Sequence, residues 1–341
     1  DTRAAASAFV QRLAQLTDEM TVVDDRRFRI RLKRPYGLML DSLAKTPSNA
    51  LFIMPERVAQ TDAFTQIRPE QLVGSGPFTF KHDEYISGSK VVYERFAGYV
   101  PRSSGEPSGT AGPKVVHFDR VEWHIIPDFA TSGAALQSGE VDWWEVPTAD
   151  LRPVLERHRD INVTLTDPLG LISIMRPNHL VAPTNNKKFR QALVRAVKQA
   201  DYMAAVAGTD QRYWRTRVGA FTPTTRLASE AGVDAFAEDI DAAKRMIAES
   251  GYNGERIVLL ATTDISSLQA LSQVTGDLFR RLGLNVDCQA VDWGSVVQRR
   301  ASREPLDRGG WSVFCTNWAG LDHMNPAGHH SLRGNGTAGW F

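Results

Sequence analysis

A chain of 341 residues exceeds what one ordinary hydrophobic core supports, so two lobes are expected. Apolar residues make up 42% and charged residues 23%, and 40 Lys and Arg against 39 Asp and Glu leave a formal net charge of +1. That balance, with no basic tract carrying interleaved aromatics, argues against a nucleic-acid partner. No run approaches the roughly 18 apolar residues of a membrane span.

The chain opens at Asp1 without a Met or a basic-apolar-small signal sequence and stops at Gly339-Trp340-Phe341. We read it as a piece of a longer or processed chain, in which a missing signal says nothing about compartment. Ala6, Phe9, Leu13 and Leu16 fall at helical spacing. Thr21 to Val23 and Arg27 to Leu32 read as a hairpin around Asp24-Asp25, with Phe28, Ile30 and Leu32 on its covered face. Leu38 to Leu43 is a short helix, and Leu51 to Met54 a brief apolar run closed by Pro55. Phe78 to Phe80 and Lys90 to Phe96 form a second antiparallel pair across Ser87-Gly88-Ser89. A surface loop follows at 101–113, and Val115 to Ile126 returns to strand. Ala130 to Ser138 is a helix stopped by Gly139, with Val141 to Trp144 leaving it as a strand. Leu151 to His158 reads as helix and Ile161 to Leu165 as strand.

From about Leu171 the pattern turns to α/β. Ile172 to Met175 is a strand, and a helix follows with Phe189, Leu193, Val197 and Ala200 on one face. After an irregular stretch at 208–232, Ile240, Ala243 and Ile247 mark a helix stopped by Gly251. Three apolar runs come next: Ile257 to Ala261, Asn285 to Val291 and Trp311 to Cys315, the first two joined by a helix through Leu268, Leu271, Val274, Leu278 and Leu282. Short apolar runs alternating with helices predict βαβ units and a parallel sheet, with ligands outside the carboxyl ends of its strands. Those ends carry Thr262-Thr263-Asp264, Asp292-Trp293, and Thr316-Asn317-Trp318 with Asp322 beyond. They outline a pocket without a catalyst.

Other chemistry is thin. Gly334 to Gly339 matches G-x-G-x-x-G by letter, but lacks the strand before it and the helix after it that a dinucleotide site requires. His323, His329 and His330 cluster without a metal-ligand spacing pattern, and no G-x-S-x-G elbow or P-loop lysine occurs. Acid pairs such as Asp24-Asp25 and Glu238-Asp239 fit turns and helix starts. The two cysteines, Cys288 and Cys315, lie in predicted strands and read as two buried apolar thiols, with their bonding open. Asp322 beside Trp318 suits an ammonium group, or equally a turn cap before Asn325-Pro326. Trp293 and Trp318 line a ligand or plug the gap between strand and helix. Trp143 and Trp144, adjacent on a strand, would face opposite sides.

Taken in order, the landmarks resemble the solute-binding proteins of ABC importers, in the peptide, nickel and oligopeptide-binding group called family 5. Val73 to Phe80 (VGSGPFTF) is similar to its V-G-T-G-P-Y-x-F turn and strand, and Leu136 to Asp142 (LQSGEVD) to its L-x-x-G-E-x-D. Asn178 to Lys198 resembles N-x-x-x-P-P-F-D-N-x-x-V-R-x-A-L-x-x-A-I, and Glu249 to Tyr252 and Gly310-Trp311 complete a set spanning nearly the whole chain. Pro183-Thr184-Asn185-Asn186 and Lys188-Phe189-Arg190 depart from the pattern, in what we expect to be a lobe-connecting surface segment.

The resemblance implies an α/β, two-lobe periplasmic-binding-protein-like fold of type II with an extra subdomain, incomplete at both ends. Lobe I would cover 1–170 and lobe II 171–341, with a solute held in the interlobe cleft. It implies ligand-binding roles for Trp144, Glu145, Ser266, Trp293, Asn317, Trp318 and Asp322. One more residue separates Trp318 from Asp322 than in the peptide binders. Expected partners are a small peptide-like solute and an inner-membrane ABC permease, for a monomer that is periplasmic, or extracellular and membrane-anchored. No enzyme activity, cofactor or resident metal is expected. The alternative within the family is a nickel, metal-chelate or haem binder using the histidines; an enzyme on a similar fold is the remaining class.

Overall fold

A computed structural model describes residues 13–44, 53–61, 67–109, 111–324 and 341. Outside them lie Ala6, Phe9, Leu51, Phe52, Asn325, Pro326, His329, His330 and the Gly334–Gly339 run. The chain forms two compact units, Asp1–Ser132 and Gly133–Phe341.

In the first unit the expected hairpin is present as β1 (Thr17–Asp24) and β2 (Arg27–Leu32), antiparallel, with Val22 opposite Phe28. Asp24 holds the turn by accepting from Arg26 N (3.0 Å) and Arg27 Nε (2.7 Å). The covered face differs from expectation: Ile30 and Leu32 are half-buried, whereas Phe28 is 65% and Val22 83% exposed. Alternation specifies two faces, and only packing decides whether one is covered. Helices α1 (Met39–Leu43) and α2 (Glu56–Ala59) follow. Strands β3 (Phe78–Phe80), β4 (Lys90–Arg95) and β5 (Arg120–His124) make an antiparallel sheet in that order. Arg120 ties it by ion pairs to Glu84, Glu94 and Glu122. The strand expected over 115–126 shrinks to five residues, the stretch that β4 pairs.

Helix α3 (Phe129–Ser138) ends where Gly139 takes φ 75° and Glu140 N donates back to Ala135 O (2.9 Å). Two predicted strands, Val141 to Trp144 and Ile161 to Leu165, are irregular chain instead. Among the described residues neither has a ladder partner, and β-propensity needs a neighbouring edge to act on. Helix α4 (Arg152–Leu155) is shorter than expected.

The second unit is built on four strands, β6 (Leu171–Pro177), β7 (Ile257–Thr262), β8 (Val286–Val291) and β9 (Val313–Ala319), in the order β6-β9-β7-β8. β7 is parallel to β8 and β9, as expected, but β6 runs antiparallel to β9, so the sheet is mixed. That pairing lengthens β9. Ser173 sits opposite Asn317 and Ile172 opposite Trp318, so the run expected to stop at Thr316-Asn317-Trp318 continues through them.

β7 is buried on both faces, and its alternate residues feed two cores. Ile257 and Leu259 join Leu268, Leu271, Leu278 and Phe279 of α8 (Ser266–Arg281), while Val258 and Leu260 join Val296 of α9 (Trp293–Arg299), Trp311 and Phe314. Three further helices, α5 (Lys187–Ala196), α6 (Gln199–Ala207) and α7 (Ile240–Glu249), add Phe189, Leu193, Tyr202 and Ile247 to the first core. α5 and α6 were expected as one helix. Val197 turns extended (φ −67°, ψ 129°) and re-aims α6, whose Tyr202 hydroxyl reaches Thr275 Oγ1 of α8 (3.2 Å). Asp239 caps α7 by accepting from Ala242 N (2.8 Å), the role expected of that acid pair.

The Asn178 segment is a strap. Asn178 Nδ2 donates to Trp311 O (3.0 Å), its Oδ1 accepts from Leu180 N (2.9 Å), and Thr184 Oγ1 donates to Asn178 O (2.6 Å). Asn186 then caps α5 and donates to Ser250 O (2.9 Å). Pro183 and Thr184 are buried, which corrects the expectation of a surface segment. The cysteines are free; Cys315 is buried on β9 as expected, but Cys288 is exposed, because β8 is the end strand of the sheet. β7 lies between those strands, and two strand spacings of roughly 10 Å exceed disulfide reach.

Candidate functional site

The carboxyl ends of β7, β8 and β9 meet where α8 and α9 leave toward opposite cores. Their loops are tied together: Trp293 N donates to Asp264 Oδ1 (2.8 Å), and Thr263 N to Val291 O (3.1 Å). Asp292 caps α9, accepting from Ser295 N (2.9 Å) and Ser295 Oγ (2.6 Å). Those bonds, the side-chain one first, hold its carboxyl below the ordinary carboxylate range. They seat Trp293 as the first residue of α9, half-buried and packed against both cores, with the Arg300 guanidinium 5.7 Å from its ring centre.

Asn317 joins three elements. Ser173 Oγ of β6 donates to its Oδ1 (3.0 Å), and its Nδ2 donates to Ser267 Oγ in the first turn of α8 (3.0 Å). Ser266, the residue singled out from the sequence, is the half-buried first residue of that helix. Ser173 and Ser267 were missed, because small hydroxyls in a strand and a helix start carry no periodic signal. On the opposite face of β9, half-buried Trp318 packs on the second core, its ring centre 6.4 Å from that of His323.

β9 then turns through Gly320–His323. Gly320 is required there, since a Cβ would stand 2.2 Å from Leu169 O. Asp322 is only 7% exposed and His323 2%. His323 Nδ1 lies 3.2 Å from Ala220 O, and because a carbonyl only accepts, Nδ1 carries the proton. Burial holds this imidazole below its ordinary pKa, against smaller opposing effects of the Ala220 bond and the Asp322 charge.

Of the seven sequence-derived residues, Ser266, Trp293, Asn317, Trp318 and Asp322 thus sit on the elements at this strand edge. Trp144 and Glu145 belong to another segment. Trp144 is half-buried over α3, its ring 3.5 Å from where a Cβ on Gly133 would stand, and Glu145 is exposed. No hydrogen bond, ion pair or ring contact among the described residues links either to the strand edge. Among the described residues no group of three His, Cys, Asp or Glu is placed to hold a metal ion. No described helix is long and apolar enough to cross a membrane. Cys315 is buried, and burial pushes its thiol up to about 12.

Aromatic, amide and carboxylate groups at the carboxyl ends of parallel strands stand where open α/β sheets characteristically bind ligands. The chain belongs to the bacterial extracellular solute-binding proteins, family 5, whose middle-region profile matches residues 2–340. It is 36% identical over 335 residues to a Sinorhizobium fredii protein named a probable peptide ABC transporter periplasmic-binding protein, covering 97% of this chain and 62% of that relative. The chain therefore spans about three fifths of that relative's length.

The fold is that of two-lobe binding proteins. A dipeptide-binding protein of Pseudoalteromonas, solved with Met-Leu, superposes with TM-score 0.68 at 22% identity, covering 95% of this chain and 60% of that one. A periplasmic binding protein of Helicobacter pylori, solved with the peptide STSA, gives TM-score 0.69 at 20% identity, covering 94% and 58%.

Proposed function

We propose that this chain is the central part of the solute-binding component of an ABC importer, which takes a peptide-like solute and hands it to a membrane permease. The observation that carries the reading is the family match over 2–340, coinciding with a strand edge that carries Trp293, Trp318 and the buried Asp322, with Asn317 on the other face of β9. Aromatic faces cover an extended solute, amide groups pair its backbone, and a buried carboxylate answers an ammonium. Binding then shifts an open–closed equilibrium through contacts made in the closed state, which requires no chemical step. No catalytic role is assigned to any residue. Lobe II is taken as 171–341, which contains all four strands of the larger sheet, and lobe I as 1–170 with Trp144 and Glu145 on its ligand side. The protein works as a monomer, periplasmic or extracellular and membrane-anchored.

The test is thermal unfolding of the full-length protein with and without a defined pool of short peptides. A ligand at about 100 times its dissociation constant adds roughly 2.7 kcal/mol of stability, which displaces the melting curve visibly. A curve that no peptide moves would reject the peptide-like solute.

A further inference from the structure

The irregular stretch between α6 and α7 reaches back to the strand edge. Thr222 is 1% exposed. Its amide donates to His323 O (3.1 Å) and its hydroxyl to Gly320 O (2.5 Å), across 98 residues of sequence for the hydroxyl bond. His323 Nδ1 completes the contact at Ala220 O. Three bonds thus grip both ends of the Gly320–His323 turn, which links Trp318 to Asp322.

The gripping segment has a shape of its own. Thr225 Oγ1 donates to Thr222 O (2.6 Å), and a Cβ on Gly219 would stand 2.6 Å from Ser229 O. Gln199 at the start of α6 clasps Val218, Nε2 donating to its carbonyl (3.1 Å) and Oε1 accepting from its amide (3.3 Å). Arg217 adds ion pairs to Glu230 (2.8 Å) and Asp234 (3.3 Å). The turn is therefore held from α6 as well as from the sheet.

We infer that Thr222 is a positioning residue for the strand-edge site: it fixes the Gly320–His323 turn, and with it Trp318 and Asp322, in the arrangement that receives the solute. The inference rests on the solute-binding reading of that edge. Thr222 touches no ligand in this role and acts through Gly320 and His323. Removing its hydroxyl deprives a buried carbonyl of a partner and lets the turn relax, which lowers the fraction of protein ready to bind.

The experiment compares wild type, Thr222→Val and Thr222→Ser in the full-length protein. Amide hydrogen exchange is read over Trp318–His323, and affinity is read with the same pool of short peptides. Thr222→Val should raise exchange in the turn while β7 and the body of α8 stay protected, and weaken binding about tenfold, the effect of one lost hydrogen bond. Thr222→Ser, which keeps the hydroxyl, should restore both. Unchanged turn exchange, exchange that rises uniformly, or a loosened turn with unaltered affinity each overturns the inference. If wild type binds nothing in the pool, the peptide reading falls, and turn exchange in the two variants still decides whether the clamp exists.

Discussion

Replacing Asn178 with alanine separates a structural motif from a ligand contact. The substitution leaves the backbone bonds Asn178 N to Ser312 O (2.8 Å) and Thr184 Oγ1 to Asn178 O (2.6 Å), and removes the two made by the side chain. Trp311 O loses a donor and Leu180 N an acceptor, beside a side chain only 3% exposed. Stranding the buried Trp311 O costs about 1–3 kcal/mol, and Leu180 N, on a residue 42% exposed, adds little because water reaches it, so the substitution costs about 2 kcal/mol. That is a large share of the roughly 5–15 kcal/mol that holds a domain folded. Asn178→Asp keeps the acceptor for Leu180 N but turns a carboxylate oxygen toward Trp311 O, so it should lose at least as much. Urea unfolding followed by tryptophan fluorescence measures both, with an unchanged slope required for the comparison. Peptide affinity, measured where the variants remain folded, should not move. A loss below about 1 kcal/mol for Asn178→Ala, or an Asn178→Asp variant as stable as wild type, would refute the strap.

Stability should fall on acidification. Burial, and then the charges of Arg190 and Arg176, push His179 from 6.5 down to about 4, and burial lowers His323 as well. Between these values the unfolded chain binds protons that the folded chain refuses, so the contribution is complete above 6.5 and is lost as pH falls toward 4. Urea titrations stepped from neutral to acid should show this slope, and the double variant His179→Asn, His323→Asn should flatten it; an unaltered slope would clear both histidines. A maleimide probe should label Cys288 alone in native protein and both cysteines after unfolding, since Cys315 is buried. Rapid native labelling of both would contradict the burial of Cys315, and labelling of neither the placement of β8 at the sheet edge.

Much of the architecture was legible because its signals are local. Gly139, Gly251 and Gly283 stop helices with φ near 80°, where only glycine is unstrained, and each ends the helix predicted before it. The apolar runs at 257 and 313 are strands whose β-branched and large apolar side chains are buried on both faces, whereas the run at 286 is a partly exposed edge strand paired with β7. Predictions missed where two distant segments had to meet. Val141 to Trp144 has the composition of a strand and no ladder partner, while Thr316 to Trp318 is strand only because β6 runs beside it. On the hairpin, Phe28 reads as covered and is exposed, while Ile30 and Leu32 are half-buried.

The site divides along the same line. The ends of β7 and β8, with Trp293 just beyond, were legible in the sequence, since apolar periodicity marks where a strand runs, but β9 continues through Trp318 where a stop was expected. Ser173, Ser267 and Thr222 were not, because one hydroxyl gives no pattern until its partner is known, and those partners lie 144, 50 and 98 residues away. By itself the sequence determined the α/β order of elements and most strand positions, written in local spacing, and its ordered motifs carried the resemblance to the family. Only the tertiary structure decided which way β6 runs, why Asn178 is needed, that Cys288 and Cys315 stand two strands apart, and what grips the turn at Asp322. Hydrogen bonds between distant segments form only after the chain has collapsed onto its cores, and no local propensity encodes them.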